Sequence, residues 1–236
     1  MKNIPFFTTE FGVASLVLEE IPYKKEAYIR IQSSCDPQKF LDECVGFCKM
    51  LGAELILATG DSGLELYPLY TEIVLMEGAV AGDDTKNLTL LPVDDKTIQQ
   101  WRMIYNENMH SVPKAATMTQ LRAEEMLKTG TCYFVYDNDC LLGIGKVSDM
   151  RMDAIVSLKR GCGEAIMRAL CKTFNSQPIL VEVASNNMPA VALYRKIGFV
   201  EKESVAKWYC VYKSDACQEK ILDIVNTACY NAAGIK

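Results

Sequence analysis

Apolar and polar positions alternate with a period of two in some stretches and recur every three to four residues in others, and this divides the chain into strands and helices. In the first third, "SLVLEEI" and "EAYIRIQS" read as strands. Residues 36–51 read as a helix whose positions Phe40, Leu41, Cys44, Val45, Phe47, Cys48 and Leu51 form one apolar stripe, and "AELILATG" and "LYTEIVLMEG" read as further strands. The small, glycine and acidic residues of "EGAVAGDDTKN" (77–87) then interrupt the pattern and predict a boundary. Beyond it, "KTIQQWRMIYNENMHSV" and "TMTQLRAEEMLKTG" read as helices, and "TCYFVYD", "LLGIGKVSD" and "DAIVSL" as a meander that turns at "NDC". A helix opens in "GCGEAIMRALCKTF", followed by a buried strand "PILVEVAS" and a helix "PAVALYRKI" that Pro189 starts and Gly198 stops. A pair of strands around "FVEKE" and "AKWYCVYK" and a tail helix packed by Ile221, Leu222, Val225 and Cys229 complete the expected order.

The pattern predicts three segments: a β-α-β half-domain over 1–82, a larger α/β (α+β) domain over 86–213, and a C-terminal helix over 214–236. The 236 residues are enough for cores of this size. The first segment repeats the strand-helix-strand order of the second in fainter form, but its strand-to-helix junction, "SSCDPQKF", contains a proline and no glycine.

Composition narrows the function classes. No run approaches the roughly 18 apolar residues of a membrane span. "MKNIPFFTTEFG" lacks the apolar core of an export signal, so a cytoplasmic protein without a membrane partner is expected. A net charge of -5 argues against a nucleic-acid partner. The ten cysteines contain no C-x-x-C and the chain has one histidine, His110, so no metal is expected and the cysteines read as small core hydrophobes in a reducing compartment.

Chemistry enters at "SLKRGCGEAIMRAL" (157–170), where an apolar strand breaks into Arg160, Gly161, Cys162 and Gly163 and a helix begins at once. A turn of this kind gathers unpaired N–H groups and the positive end of a helix at one place, which favours an anion. Gly161 and Gly163 remove side chains, Ala165 keeps the second turn small, Arg160 adds a cation, and the group suits a diphosphate.

About twenty residues on, "VEVASNNMPAVALYRKIGF" adds Glu182, Asn187, Ala190, Tyr194, Gly198 and Phe199 in one strand-loop-helix unit. With these two stretches the chain resembles the GNAT superfamily of N-acetyltransferases over roughly residues 88 to 213. That family marks its acetyl-CoA site with (Q/R)-x-x-G-x-(G/A), matched by Arg160, Gly163 and Ala165, and with N-x-x-A-x-x-L-Y-x-x-x-G-F, matched by Asn187, Ala190, Leu193, Tyr194, Gly198 and Phe199. The segment before Arg160 is shorter than the family's usual one. Around the cofactor site the chain is also similar to ribosomal-protein alanine N-acetyltransferases.

The resemblance implies a GNAT fold, a mixed and mostly antiparallel sheet flanked by helices, with a degenerate GNAT-like half-domain before it. It implies acetyl transfer from acetyl-CoA to a primary amine, of a small molecule or a peptide N-terminus, in a ternary complex. Ile155, Val156, Arg160, Gly161, Cys162, Gly163, Glu164, Ala165, Asn187, Ala190 and Tyr194 are then the expected coenzyme contacts. Tyr194 takes the place of the general acid, since a phenol with an ordinary pKa near ~10 matches an alkyl thiolate. Glu182, set in an apolar strand, is the first candidate base and Asp153 the second. His110 and Glu107 fall in the region that lines acceptor sites. The first half-domain is expected to complete the acceptor cleft or a homodimer. Two rivals stay open: a coenzyme-binding sensor without turnover, and an interaction scaffold.

Overall fold

The structure, a computed structural model, describes residues 1–60, 63–79, 88–128, 131–174 and 178–215. The helix expected over 214–236, beyond Asp215, and most of the 77–87 break lie outside the described residues. The first elements are β1 (Ile4–Thr9), β2 (Gly12–Val17), α1 (Ile21–Lys24), β3 (Glu26–Ser34), α2 (Pro37–Met50), β4 (Leu55–Thr59), β5 (Leu69–Gly78) and β6 (Thr89–Pro92). There follow α3 (Ile98–Met109), α4 (Gln120–Leu127), β7 (Cys132–Asp137), β8 (Cys140–Ser148), β9 (Arg151–Ser157), α5 (Gly163–Cys171), β10 (Ile179–Ala184), α6 (Met188–Ile197) and β11 (Val200–Lys213). They make two compact units: Met1–Thr71 with the chain from Ala206, and Glu72–Val205.

In the first unit β1, β2 and β3 are antiparallel, β4 joins β3 in parallel, and the end of β11 closes the sheet antiparallel to β4. The parallel pair is zipped throughout, from Glu26 opposite Leu55 to Arg30 opposite Thr59. Helix α2 begins where Asp36 accepts from the Lys39 N–H at 3.2 Å and Pro37 fills the first turn. Its stripe of Phe40, Leu41, Cys44 and Cys48 packs on Leu16, Ile29, Ile31 and Ile56. Burial pushes the Cys44 and Cys48 thiols up to about 12, so both behave as core hydrophobes.

The second unit is a sheet in the order β6-β7-β8-β9-β10-β5, antiparallel except for β9 against β10. On one face α5 and α6 bury Ile166, Leu170, Val191 and Ile197 against Val181 and Val183 of β10. On the other, Trp101 and Tyr105 of α3 and Ala123 and Met126 of α4 cover Phe134, Ile144, Ala154 and Val156. Helix α5 approaches β8 closely because Gly143 and Gly145 have no side chains. A Cβ on Gly145 would stand 2.2 Å from Cδ1 of Leu170, and one on Gly143 would stand 2.1 Å from the Val156 carbonyl oxygen.

Four strands depart from the sequence expectation. The expected pair of strands after Gly198 is one strand, β11, because Glu201–Ala206 contains no glycine, proline or asparagine to turn on. β1 and β6 are additional: Pro5 and a bulge disturb the period of two in β1, and β6 has only four residues. The strand expected at "SLVLEEI" ends at Val17, and Pro22 opens α1. The unit division falls inside β5, whose Ile73–Gly78 pair with Ala184–Ile179 of β10 in the second unit.

Candidate functional site

β9 and β10 run parallel but meet only at their beginnings. Leu180 lies opposite Arg151, its N–H donates to the Met150 carbonyl at 2.8 Å, and no later register pairs among the described residues. β9 remains bonded to β8 on its other side. The Leu158 N–H donates to the Leu142 carbonyl at 2.8 Å, which makes Val156 and Ala154 the positions bonded to Ile144 and Lys146. The alternate residues, Ile155 and Ser157, therefore turn their N–H groups away from β8, toward the gap. Of the two expected coenzyme contacts on this strand, Ile155 faces the gap and Val156 is directed to β8. Ser157 was not anticipated, because ladder phase cannot be read from one strand.

The strand also bulges. Lys146 opposes Ala154 and Val147 opposes Met152, so Asp153 is the extra residue. Its carboxylate is held by Lys146 Nζ of β8 at 2.9 Å.

After β9 the chain turns through Leu158–Cys162. The Ser157 hydroxyl donates to the Lys159 carbonyl at 2.7 Å and the Cys162 N–H donates to the same carbonyl at 3.2 Å. Gly161 holds φ +84°, in the left-handed region that glycine adopts without strain, and a Cβ there would meet nothing within 4 Å. Gly163 serves differently, since a Cβ on it would stand 3.3 Å from Cδ2 of Leu193 in α6. The first turn of α5 has no side-chain cap, so Gly163, Glu164 and Ala165 present backbone N–H groups at the helix start. Arg160 is exposed and makes no ion pair among the described residues. Lys159 reaches back to Cys140, with Nζ 2.7 Å from Sγ, and this contact holds its ammonium above the ordinary lysine range. The Glu164 carboxylate turns away from the turn, to Arg168 at 3.1 Å and Lys196 of α6 at 2.7 Å, and these cations hold it below the usual carboxylate range.

Helix α6 begins at Asn187, whose N–H donates to the Ala184 carbonyl at 2.9 Å and whose carboxamide caps nothing. Ile155, Cys162, Ala190 and Tyr194 all pack on the same core as α5. Tyr194 is partly buried with its ring 5.9 Å from that of Phe199, and its hydroxyl has no hydrogen-bond partner among the described residues. Burial pushes the phenol up to about 12.

Glu182 lies on the opposite face of β10. Ile179, Val181 and Val183 point to α5 and α6, so alternation sends Leu180 and Glu182 to the face that α3 and α4 cover elsewhere in the sheet. There the carboxylate is half-exposed and ion-paired with Arg151 Nη2. Arg151 was missed because nothing local in "DMRMDAIV" marks it; its partner is 31 positions away. His110 closes α3 and Glu107 lies one turn earlier; both are exposed and neither has a polar side-chain contact with the other site residues.

No family model and no curated protein matches the chain. Solved structures do match. A conserved Staphylococcus epidermidis protein of unknown function aligns over 86% of this chain and 91% of its own, with TM-score 0.58 and 10% identity. A Pyrococcus horikoshii protein assigned as an acetyltransferase aligns over 86% and 70%, with TM-score 0.56 and 12% identity. A GNAT-family acetyltransferase from Colwellia psychrerythraea aligns over 87% and 84%, with TM-score 0.50 and 10% identity. The chain has the fold of the GNAT acetyltransferases.

Proposed function

We propose that the unit Glu72–Val205 transfers an acetyl group from acetyl-CoA to a primary amine, of a small molecule or a peptide N-terminus, by direct attack in a ternary complex. The observation that carries this reading is the parting of β9 and β10 after Arg151 and Leu180, directly ahead of an uncapped, glycine-opened helix. Two sets of backbone donors then stand in sequence. The N–H groups of Gly163, Glu164 and Ala165, with Arg160, suit the diphosphate. The N–H groups of Ile155 and Ser157 suit the thioester carbonyl, whose oxygen gains charge as the amine attacks.

The proton steps fall to two side chains. Glu182 takes a proton from the acceptor ammonium, an N–H bond breaking as an O–H bond forms, and the freed lone pair attacks the carbonyl carbon. As the carbon–sulfur bond breaks, Tyr194 gives its phenolic proton to the thiolate, and the second proton of the attacking nitrogen, released as the amide forms, restores the phenol. A tyrosine held up near 12 by burial remains a neutral donor at any physiological pH. Asp153 is the second choice for base, because Lys146 holds it from β8, away from the gap. Glu107 and His110, on the helix that lies on the same side of the sheet as Glu182, are the acceptor-side candidates. The buried, unpaired thiols of Cys44, Cys48, Cys132 and Cys171 support a reducing compartment, the cytoplasm.

The test measures the melting temperature with and without acetyl-CoA, then thiol release from acetyl-CoA across a panel of amines. A ligand at ~100 times its Kd stabilises the folded state by about 2.7 kcal/mol, which a melting curve resolves. Thiol release with at least one amine is expected. A shift without release would favour a coenzyme sensor, and no shift would remove the coenzyme from the function.

A further inference from the structure

We propose that Arg151 is the positioning residue for Glu182, an inference that rests on the acetyl-transfer reading above. Arg151 occupies the last register at which β9 and β10 touch, and Glu182 stands two residues beyond the matching position on β10, on the same face. Their ion pair therefore spans the two strands at the point where they separate. The guanidinium takes Oε1 of the carboxylate, and Oε2 has no partner among the described residues.

The arrangement answers a geometric need. A glutamate beside an opening has three rotatable side-chain bonds and many orientations, and a base must be held within hydrogen-bond reach of the proton it removes. Fixing one oxygen from the facing strand leaves the other presented to the acceptor in one orientation. The second acid does not have this relationship: the cation that holds Asp153 comes from β8, on the far side of β9 from the gap. Stability does not account for the pair well, because both side chains are about two-fifths exposed, at 43% and 40%, and exposed ion pairs contribute little to folding.

The experiment uses the full chain, acetyl-CoA and the amine that the panel acetylates fastest. It compares Arg151→Ala, Arg151→Lys, Glu182→Gln and the double variant Arg151→Ala/Glu182→Gln. Arg151→Ala is expected to lower kcat on the order of 10-fold while KM for acetyl-CoA holds, since misplacing a catalytic group lowers the rate without removing coenzyme contacts. Arg151→Lys should recover part of the loss. The double variant should be no slower than Glu182→Gln alone, because an arginine that acts through Glu182 has nothing to position once the carboxylate is gone. Losses that multiply in the double variant, or a full rate in Arg151→Ala, would overturn the assignment while leaving Glu182 as base. If Glu182→Gln itself keeps the full rate, the base assignment fails, and the role of Arg151 fails with it. Should Arg151→Ala not fold, Arg151→Met, which keeps most of the apolar stem and has no donor, carries the same comparison.

Discussion

A Cβ placed on Gly163 would meet Cδ2 of Leu193 at 3.3 Å, whereas one placed on Gly161 would meet nothing. The two glycines of the turn thus have different reasons to be bare. Gly161 needs its backbone angle, and Gly163 lets α6 sit on the opening of α5 next to the exposed amides.

Alanine substitutions should separate these reasons. Gly161→Ala is expected to lower stability by about 1–2 kcal/mol, the cost of the left-handed region for a residue with a side chain. Gly163→Ala should fold with a smaller loss and weaken coenzyme binding, and Leu193→Ala in the same chain should restore part of the stability. Denaturant melts and coenzyme titrations read both. Equal stability loss in the two single variants, with no rescue by Leu193→Ala, would contradict the division.

Tyr194→Phe should reduce kcat by at least ~100-fold and leave the thermal shift with acetyl-CoA intact. The phenol, raised above its unfolded value near 10, keeps its proton in the folded state while the unfolded chain loses it, so stability should fall as pH rises from 10 to about 12. The phenylalanine variant should show a shallower fall, the rest of it coming from Tyr28 and the buried thiols of Cys44, Cys48, Cys132 and Cys171. An unchanged turnover removes Tyr194 from the chemistry.

A piece of chain starting at residue 86 should behave worse than one starting at residue 69. The shorter piece lacks Ile73–Gly78, which pair with Ala184–Ile179 of β10, and loses Met76, fully buried in the core. It would expose the edge of β10 and leave a void of the kind that costs about 2–5 kcal/mol when a buried methionine is truncated. Gel filtration and melting temperature decide it, and equal behaviour of the two pieces would show that β5 is dispensable to the site.

Native protein at pH 8 should label slowly with a thiol reagent at Cys44, Cys48, Cys132 and Cys171, whose thiols burial pushes up to about 11 or 12. Exposed Cys35 should label first among the described cysteines. Mass mapping of labelled peptides gives the order, and early modification of Cys44 would refute its place in the core.

The sequence reading captured what is local. Pro189 and Gly198 bracket α6 and the glycine turn opens α5, both within a few residues of the signals that predict them. What it missed is non-local. Ladder phase makes Ser157 rather than Val156 face the gap, the pairing of β5 with β10 joins residues more than a hundred positions apart, and Arg151 finds Glu182 across two strands. Nothing within β8 marks Gly143 and Gly145, whose missing side chains make room for Ile166 and Leu170 of α5. A period of two says which face a residue takes and nothing about which strand lies beside it.

The zipped pair β3 and β4 has a quantitative corollary. Where β9 and β10 leave amides unclaimed, the corresponding parallel strands of the first unit bond to one another from Glu26 to Arg30, and Asp36 occupies the start of the following helix. Despite its doubled β-α-β order, the polypeptide should therefore saturate at a single equivalent of coenzyme in a calorimetric titration.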